Sequence, residues 1–142
     1  MLESSDRLLV GIDLRKSPKI LERAYDDEHR VTAQFNLNLL ARINRELGGQ
    51  FDLSTFRHRI RYDELEGRIE MYLESQCDQR VPIAFLGEEF AFRAGERIHT
   101  ENSYKYSLGE IERLARAAGL RLAHRWFDRA HLFSLNLFEG VQ

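Results

Sequence analysis

The spacing of hydrophobic positions changes several times along this chain, and each change marks an element. Leu8-Leu9-Val10-Gly11-Ile12-Asp13-Leu14 is an apolar run closed off by an acid. Such a run suits a parallel strand buried on both faces of an α/β sheet. It lies behind only a short acidic lead, Met1 to Asp6, so it is expected to belong to a sheet whose first half is absent. Ser17-Pro18 then reads as an N-cap followed by proline at the first helical position, with a short helix to about Tyr25 closed by Asp26-Asp27. The strongest helical period runs from Val31 to Leu47. Phe35, Leu39, Leu40, Ile43 and Leu47 fall on one face, Thr32 is the expected N-cap, and Gly48-Gly49 ends the helix.

Beyond Phe51 the period falls to two. Asp52 is placed to cap a short turn, and Arg68 to Ser75 alternates Ile69, Met71 and Leu73 with Glu70, Tyr72 and Glu74. Val81 to Leu86 and Glu89 to Arg93 read as further strands joined near Gly87, so about 58–98 is expected to be antiparallel. Ser107-Leu108-Gly109-Glu110 is a capping box, and its helix stops at Gly119. Two closing strands, Leu120 to Phe127 and His131 to Phe138, flank Asp128-Arg129-Ala130.

Composition narrows the class. The chain has 142 residues, 43% hydrophobic and 31% charged, with net charge −2, which is an ordinary globular balance without a nucleic-acid footprint. No apolar run reaches the ~20 residues of a membrane span. Cys77 is the single cysteine, which excludes an intrachain disulfide and fits a reducing, cytoplasmic setting. His29, His58, His99, His124 and His131 show no metal-ligand spacing, and no metal site is expected. No GxSxG elbow, Walker loop or GxGxxG turn occurs, so the residues themselves name no catalytic nucleophile and no cofactor-binding group.

Candidate chemistry gathers in Ile98-His99-Thr100-Glu101-Asn102-Ser103-Tyr104-Lys105-Tyr106-Ser107. Glu101 can accept a proton-bearing ring nitrogen, and Ser103 can donate to or accept from a second. The competing reading is a polar turn that caps the next helix. Tyr25 is either a phenol for a substrate carboxylate or a boundary tyrosine, and Phe35 and Met71 are either pocket walls or core.

Several strings occur together with a family's order and spacing. They are Ala24-Tyr25-Asp26-Asp27, the stretch from Val31 to Asn44 containing FNLNLLARIN, Arg68-Ile69-Glu70-Met71, IHTENSYKYS, and Trp126-Phe127-Asp128. In these the chain resembles the C-terminal part of the histidine Nα-methyltransferases of ergothioneine biosynthesis. Those enzymes use S-adenosylmethionine to convert histidine to its trimethylated betaine. The resemblance implies an α/β fold, the C-terminal half of a Rossmann-like methyltransferase sheet with flanking helices and the antiparallel insertion, all within one domain over 1–142. It implies that Tyr25 binds the substrate carboxylate, that Glu101 and Ser103 hold the imidazole, that Asn102 shapes the loop, and that Phe35 and Met71 line the pocket.

The resemblance also implies that S-adenosylmethionine serves the complete enzyme, whereas no cofactor is expected on this chain alone. The expected partners are a small amino-acid substrate and a cofactor-binding N-terminal half. Without that half the chain is expected to be inactive, and its exposed sheet edge invites self-association. The alternative function is a non-enzymatic module that binds an amino acid or betaine, or that oligomerises.

Overall fold

The computed structural model describes residues 6–141; the lead from Met1 to Ser5 lies outside them. In chain order the elements are β1 (Arg7–Asp13), α1 (Pro18–Tyr25), α2 (Val31–Leu47), β2 (Phe56–Asp63), β3 (Arg68–Ser75), β4 (Gln79–Ile83), β5 (Glu88–Phe92), β6 (Arg97–Tyr104), α3 (Leu108–Ala117), β7 (Leu120–Phe127) and β8 (Phe133–Gly140). Short 3-10 turns occupy Leu53–Thr55 and Ala84–Leu86. The fold is mixed α/β with antiparallel pairing. It divides into two compact units, one comprising residues to Ser17, Leu65–Gly67 and Tyr104 onward, the other Pro18–Glu64 and Arg68–Ser103.

In the first unit the strands run in the order β1-β8-β7, antiparallel throughout. This corrects the parallel reading of β1. Its described partner is β8, in register Leu9↔Leu137, and Leu8 and Leu9 stay exposed rather than buried on both faces. The core joins Leu14, Ile111, Ala115, Leu120 and Phe138. α3 starts at the expected capping box, in which Ser107 Oγ accepts from the Glu110 amide and Glu110 accepts from the Ser107 amide. The Glu110 carboxylate also takes a two-pronged pair from Arg15, at 3.0 and 2.8 Å. The Ser107 amide and the Arg15 guanidinium together hold its pKa at about 2.

In the second unit the sheet order is β2-β3-β6, with β4 and β5 as a separate antiparallel pair. Register is set by alternation: Ile60 faces Met71 and His58 faces Leu73. One cluster buries Leu40, Phe56, Leu73 and Val81, and another buries Leu21, Ile69 and Met71. The opposite side of β3 carries Glu70 and Glu74. Arg59 and Arg97 both bond Glu74, at 3.0 and 2.8 Å, which supplies the partners that buried carboxylates require.

Three expectations change here. The N-cap of α2 is Arg30, in a left-handed conformation, and the Asp27 carboxylate accepts from the Val31 and Thr32 amides. Asp27 therefore caps α2 instead of closing α1, and Thr32 is not the cap. A carboxylate at this helix end also meets the positive pole of the helix dipole. The buried stripe of α2 is rotated from the expected one, running through Ala33, Asn36 and Leu40 and leaving Phe35, Leu39 and Leu47 exposed. Finally, Ile98 to Tyr104 is not a polar turn but most of strand β6. Ladder pairing with β3 outweighs the turn preference of its asparagine and serine.

Candidate functional site

The second unit contains every residue expected at the site. Tyr25 ends α1, and its phenol shares a 2.7 Å hydrogen bond with Ser103 Oγ on β6. The body of Tyr25 packs on the cluster of Leu21, Ile69 and Met71. Met71 is only 3% exposed, so it is a floor beneath Tyr25, and its carbonyl accepts from Thr100 Oγ1 at 3.0 Å. That bond ties β3 to β6 just before Glu101.

A cleft of about 240 Å³ is lined by Phe35, Asn36, Leu39, Arg42, Thr100 and Glu101. Phe35 is 66% exposed, unusual for a phenylalanine on an amphipathic helix. Arg42 is the cation of this cleft, and its guanidinium is turned to Glu46 at 2.8 Å. That pairing holds the Glu46 carboxyl below its ordinary range. Among the described residues, no side chain bonds the Glu101 carboxylate. The cleft thus offers an unengaged anion beside an exposed aromatic face.

Asn102 points elsewhere. Its Oδ1 accepts from His99 Nε2 at 2.9 Å, and the His99 ring stacks on Tyr72 with centroids 4.9 Å apart. The structure therefore joins Tyr25 directly to Ser103, sets Met71 beneath Tyr25, puts Phe35 and Glu101 in one cleft, and engages Asn102 with His99.

Two buried polar residues escaped the sequence reading. Asn36 is on the buried stripe of α2, and its Nδ2 lies 3.1 Å from the Tyr72 carbonyl and 2.9 Å from His58 Nδ1. His58 Nε2 in turn lies 2.9 Å from the Tyr25 carbonyl. The available signal was Asn36 itself, a polar residue four positions before Leu40 on an apolar stripe.

The sequence profile of a family described as histidine-specific methyltransferase, SAM-dependent, matches residues 1–140. The chain belongs to that family. It is 45% identical over 136 residues to a histidine N-alpha-methyltransferase of Mycolicibacterium smegmatis, covering 96% of this chain and 42% of that protein. It is 44% identical to the histidine N-alpha-methyltransferase of Mycobacterium tuberculosis, covering 96% of this chain and 43% of the relative. Ergothioneine biosynthesis protein 1 of Schizosaccharomyces pombe is 29% identical over 88% of the chain and 16% of its own length. The chain thus spans less than half the length of the curated relatives it matches.

Membership in the histidine-specific methyltransferase family implies S-adenosylmethionine, whose ribose diol calls for an unengaged carboxylate at a strand end. Asp13, at the end of β1, has that placement, but its two oxygens are taken by Lys16 at 2.5 Å and by the buried Lys105 at 3.1 Å. Asp63, at the end of β2, lies 3.8 Å from Arg61. The cleft at Phe35 and Glu101 carries acceptor groups but no Gly-rich turn of backbone N–H groups. The residues described here do not fit the cofactor.

Proposed function

We propose that this chain recognises the amino-acid substrate of an S-adenosylmethionine-dependent methyltransferase that acts on the α-amine of histidine. The observation that carries the reading is the Glu101 carboxylate, unengaged among the described residues beside the exposed ring of Phe35, with Ser103 two residues further along β6. Alternate residues of a strand share a face about 6.6 Å apart. An imidazole with one hydrogen bond at each nitrogen spans such a gap. An apolar substrate side chain would offer that carboxylate no hydrogen-bond donor, whereas an imidazole N–H does.

In this reading Glu101 and Ser103 hold the imidazole, and Tyr25 receives the substrate carboxylate through its phenol. Phe35 walls the pocket, Met71 supports it from the core beneath Tyr25, and Asn102 shapes the strand around Glu101 through its bond to His99. These residues fix both ends of the substrate, so the amine between them has a defined direction. Orientation of this kind supplies much of the rate in a transfer reaction. Methyl transfer then requires a cofactor-binding portion of the kind the longer relatives have room for. We assign β1, β7 and β8 to the C-terminal part of a Rossmann-like sheet, 58–98 to its antiparallel insertion, and the whole of 1–142 to one recognition domain working in the cytoplasm.

Calorimetric titration tests the reading. Histidine is expected to bind, leucine and S-adenosylmethionine are not, and Glu101→Gln is expected to weaken histidine by about 10- to 100-fold, the worth of a hydrogen bond to a charged group. Equal binding of histidine and leucine, or unchanged binding by the variant, overturns it.

A further inference from the structure

We propose that His58 and Asn36 are positioning residues for the amino-acid site, holding Tyr25 in place through a buried relay of hydrogen bonds. The inference rests on the reading of Tyr25 as the group that receives the substrate carboxylate. Asn36 and His58 are 4% and 7% exposed, so both side chains are taken from water. A buried polar pair is costly unless fully bonded, and two apolar residues of the same shape would pack there at little or no loss. Packing alone does not explain the pair.

The directions of the bonds are determined by the donors available. Asn36 Nδ2 carries two hydrogens, and two acceptors stand within reach, the Tyr72 carbonyl at 3.1 Å and His58 Nδ1 at 2.9 Å. A flipped amide would set its oxygen against the Tyr72 carbonyl, acceptor facing acceptor. His58 Nδ1 therefore accepts, its proton sits on Nε2, and Nε2–H donates to the Tyr25 carbonyl at 2.9 Å. That carbonyl belongs to the last residue of α1, where a helix leaves its C=O groups without internal partners. The relay thus fixes the end of a short helix that would otherwise fray. The phenol of the same residue meets Ser103 at 2.7 Å.

The relay also indexes the other walls of the site. Phe35 immediately precedes Asn36, and Met71 immediately precedes Tyr72, so each is carried by a residue whose backbone or side chain the relay holds. One chain of bonds sets α2, β3, β2 and α1 at fixed spacing, ending at Ser103 on β6. The separation it controls is that between the phenol of Tyr25 and the imidazole-holding strand. Its loss should be felt by ligands that carry a carboxylate and not by those that lack one.

The test compares histidine with histamine, which keeps the imidazole and amine but has no carboxylate, on the wild-type chain, His58→Leu, His58→Gln and the double variant N36L/H58L. His58→Leu is expected to weaken histidine about five- to tenfold, the worth of one hydrogen bond, and to leave histamine unchanged. His58→Gln keeps a donor near Nε2 and is expected to restore part of the histidine affinity. The double variant buries no unpaired polar side chain, so it is expected to fold, with a thermal midpoint near wild type, yet to bind histidine as weakly as His58→Leu. Long-range proton–nitrogen NMR of His58 is expected to find its proton on Nε2 in the wild type. A proton on Nδ1, equal losses for both ligands, or unchanged histidine binding in His58→Leu overturns the relay alone. A wild-type chain that binds neither ligand overturns the substrate reading and, with it, the role of the relay.

Discussion

Tyr25 and Ser103 share one hydrogen bond of 2.7 Å between residues 78 positions apart, so each substitution disturbs the other's environment. Tyr25→Phe and Ser103→Ala are therefore expected to be non-additive in thermal unfolding, with a coupling energy of about 0.5–1.5 kcal/mol favouring the intact pair. Additive losses across the double-mutant cycle would show that the bond is not formed in solution. The same pair shows what a sequence can disclose at this scale. Glu101 and Ser103 stand out because an unusual set of polar side chains is concentrated in one short segment. Asn36 and His58 do not, because their significance lies in meeting each other and Tyr25 from three separate elements. Phe35 misled in the opposite direction: its helical spacing suits a core face, yet its ring is exposed over the cleft, while the polar Asn36 beside it is buried.

Helix α3 is the element whose start is most firmly specified, and it depends on pH through one residue. Glu110 closes the capping box and receives Arg15, and its folded-state pKa of about 2 lies below the 4.5 of an unperturbed glutamate. A depressed carboxyl contributes stability that is fully present above its unfolded pKa and is lost as pH falls toward the folded one. Glu110→Gln is expected to lower the thermal midpoint at pH 7. The gap between variant and wild type should then close between about pH 4.5 and pH 2. A gap that persists unchanged at pH 2 would mean that the carboxylate is not the stabilising group. This cap was legible because Ser107 and Glu110 are three residues apart on one element. The cap of α2 was not, because Asp27 reaches Val31 and Thr32 across a left-handed residue, Arg30, that no local pattern announces. Strand β6 was missed for a different reason. Its residues favour turns individually, and only pairing with β3 makes them a strand.

At the scale of the whole chain, near-neutral charge does little to keep copies apart, and self-association is expected to run through β1. Net charge is −2 from 21 basic and 23 acidic side chains. In the order β1-β8-β7 the two outer strands differ. β7 shifts register between Leu122 and His124, a distortion of the kind that blunts an edge against pairing. β1 pairs with β8 in unbroken register from Arg7 to Asp13, carries no proline or lysine, and its one basic residue, Arg7, is drawn to Glu139 at 3.0 Å. Leu9 on this strand is exposed. At the end of β1 the Asp13 carbonyl accepts from the Tyr106 amide at 3.1 Å; before it, the far side of β1 has no strand partner among the described residues, the form of edge that adds another strand. Sedimentation is expected to find the chain self-associated at micromolar concentration. Leu9→Lys places a charge on that edge and is expected to shift the distribution to monomer without changing the circular dichroism spectrum. A wild-type chain that stays monomeric across a dilution series, or a variant that associates as strongly as wild type, would exclude pairing through β1. Because the expected site lies wholly in the other unit, the variant should also bind histidine as the wild type does, which separates assembly from recognition.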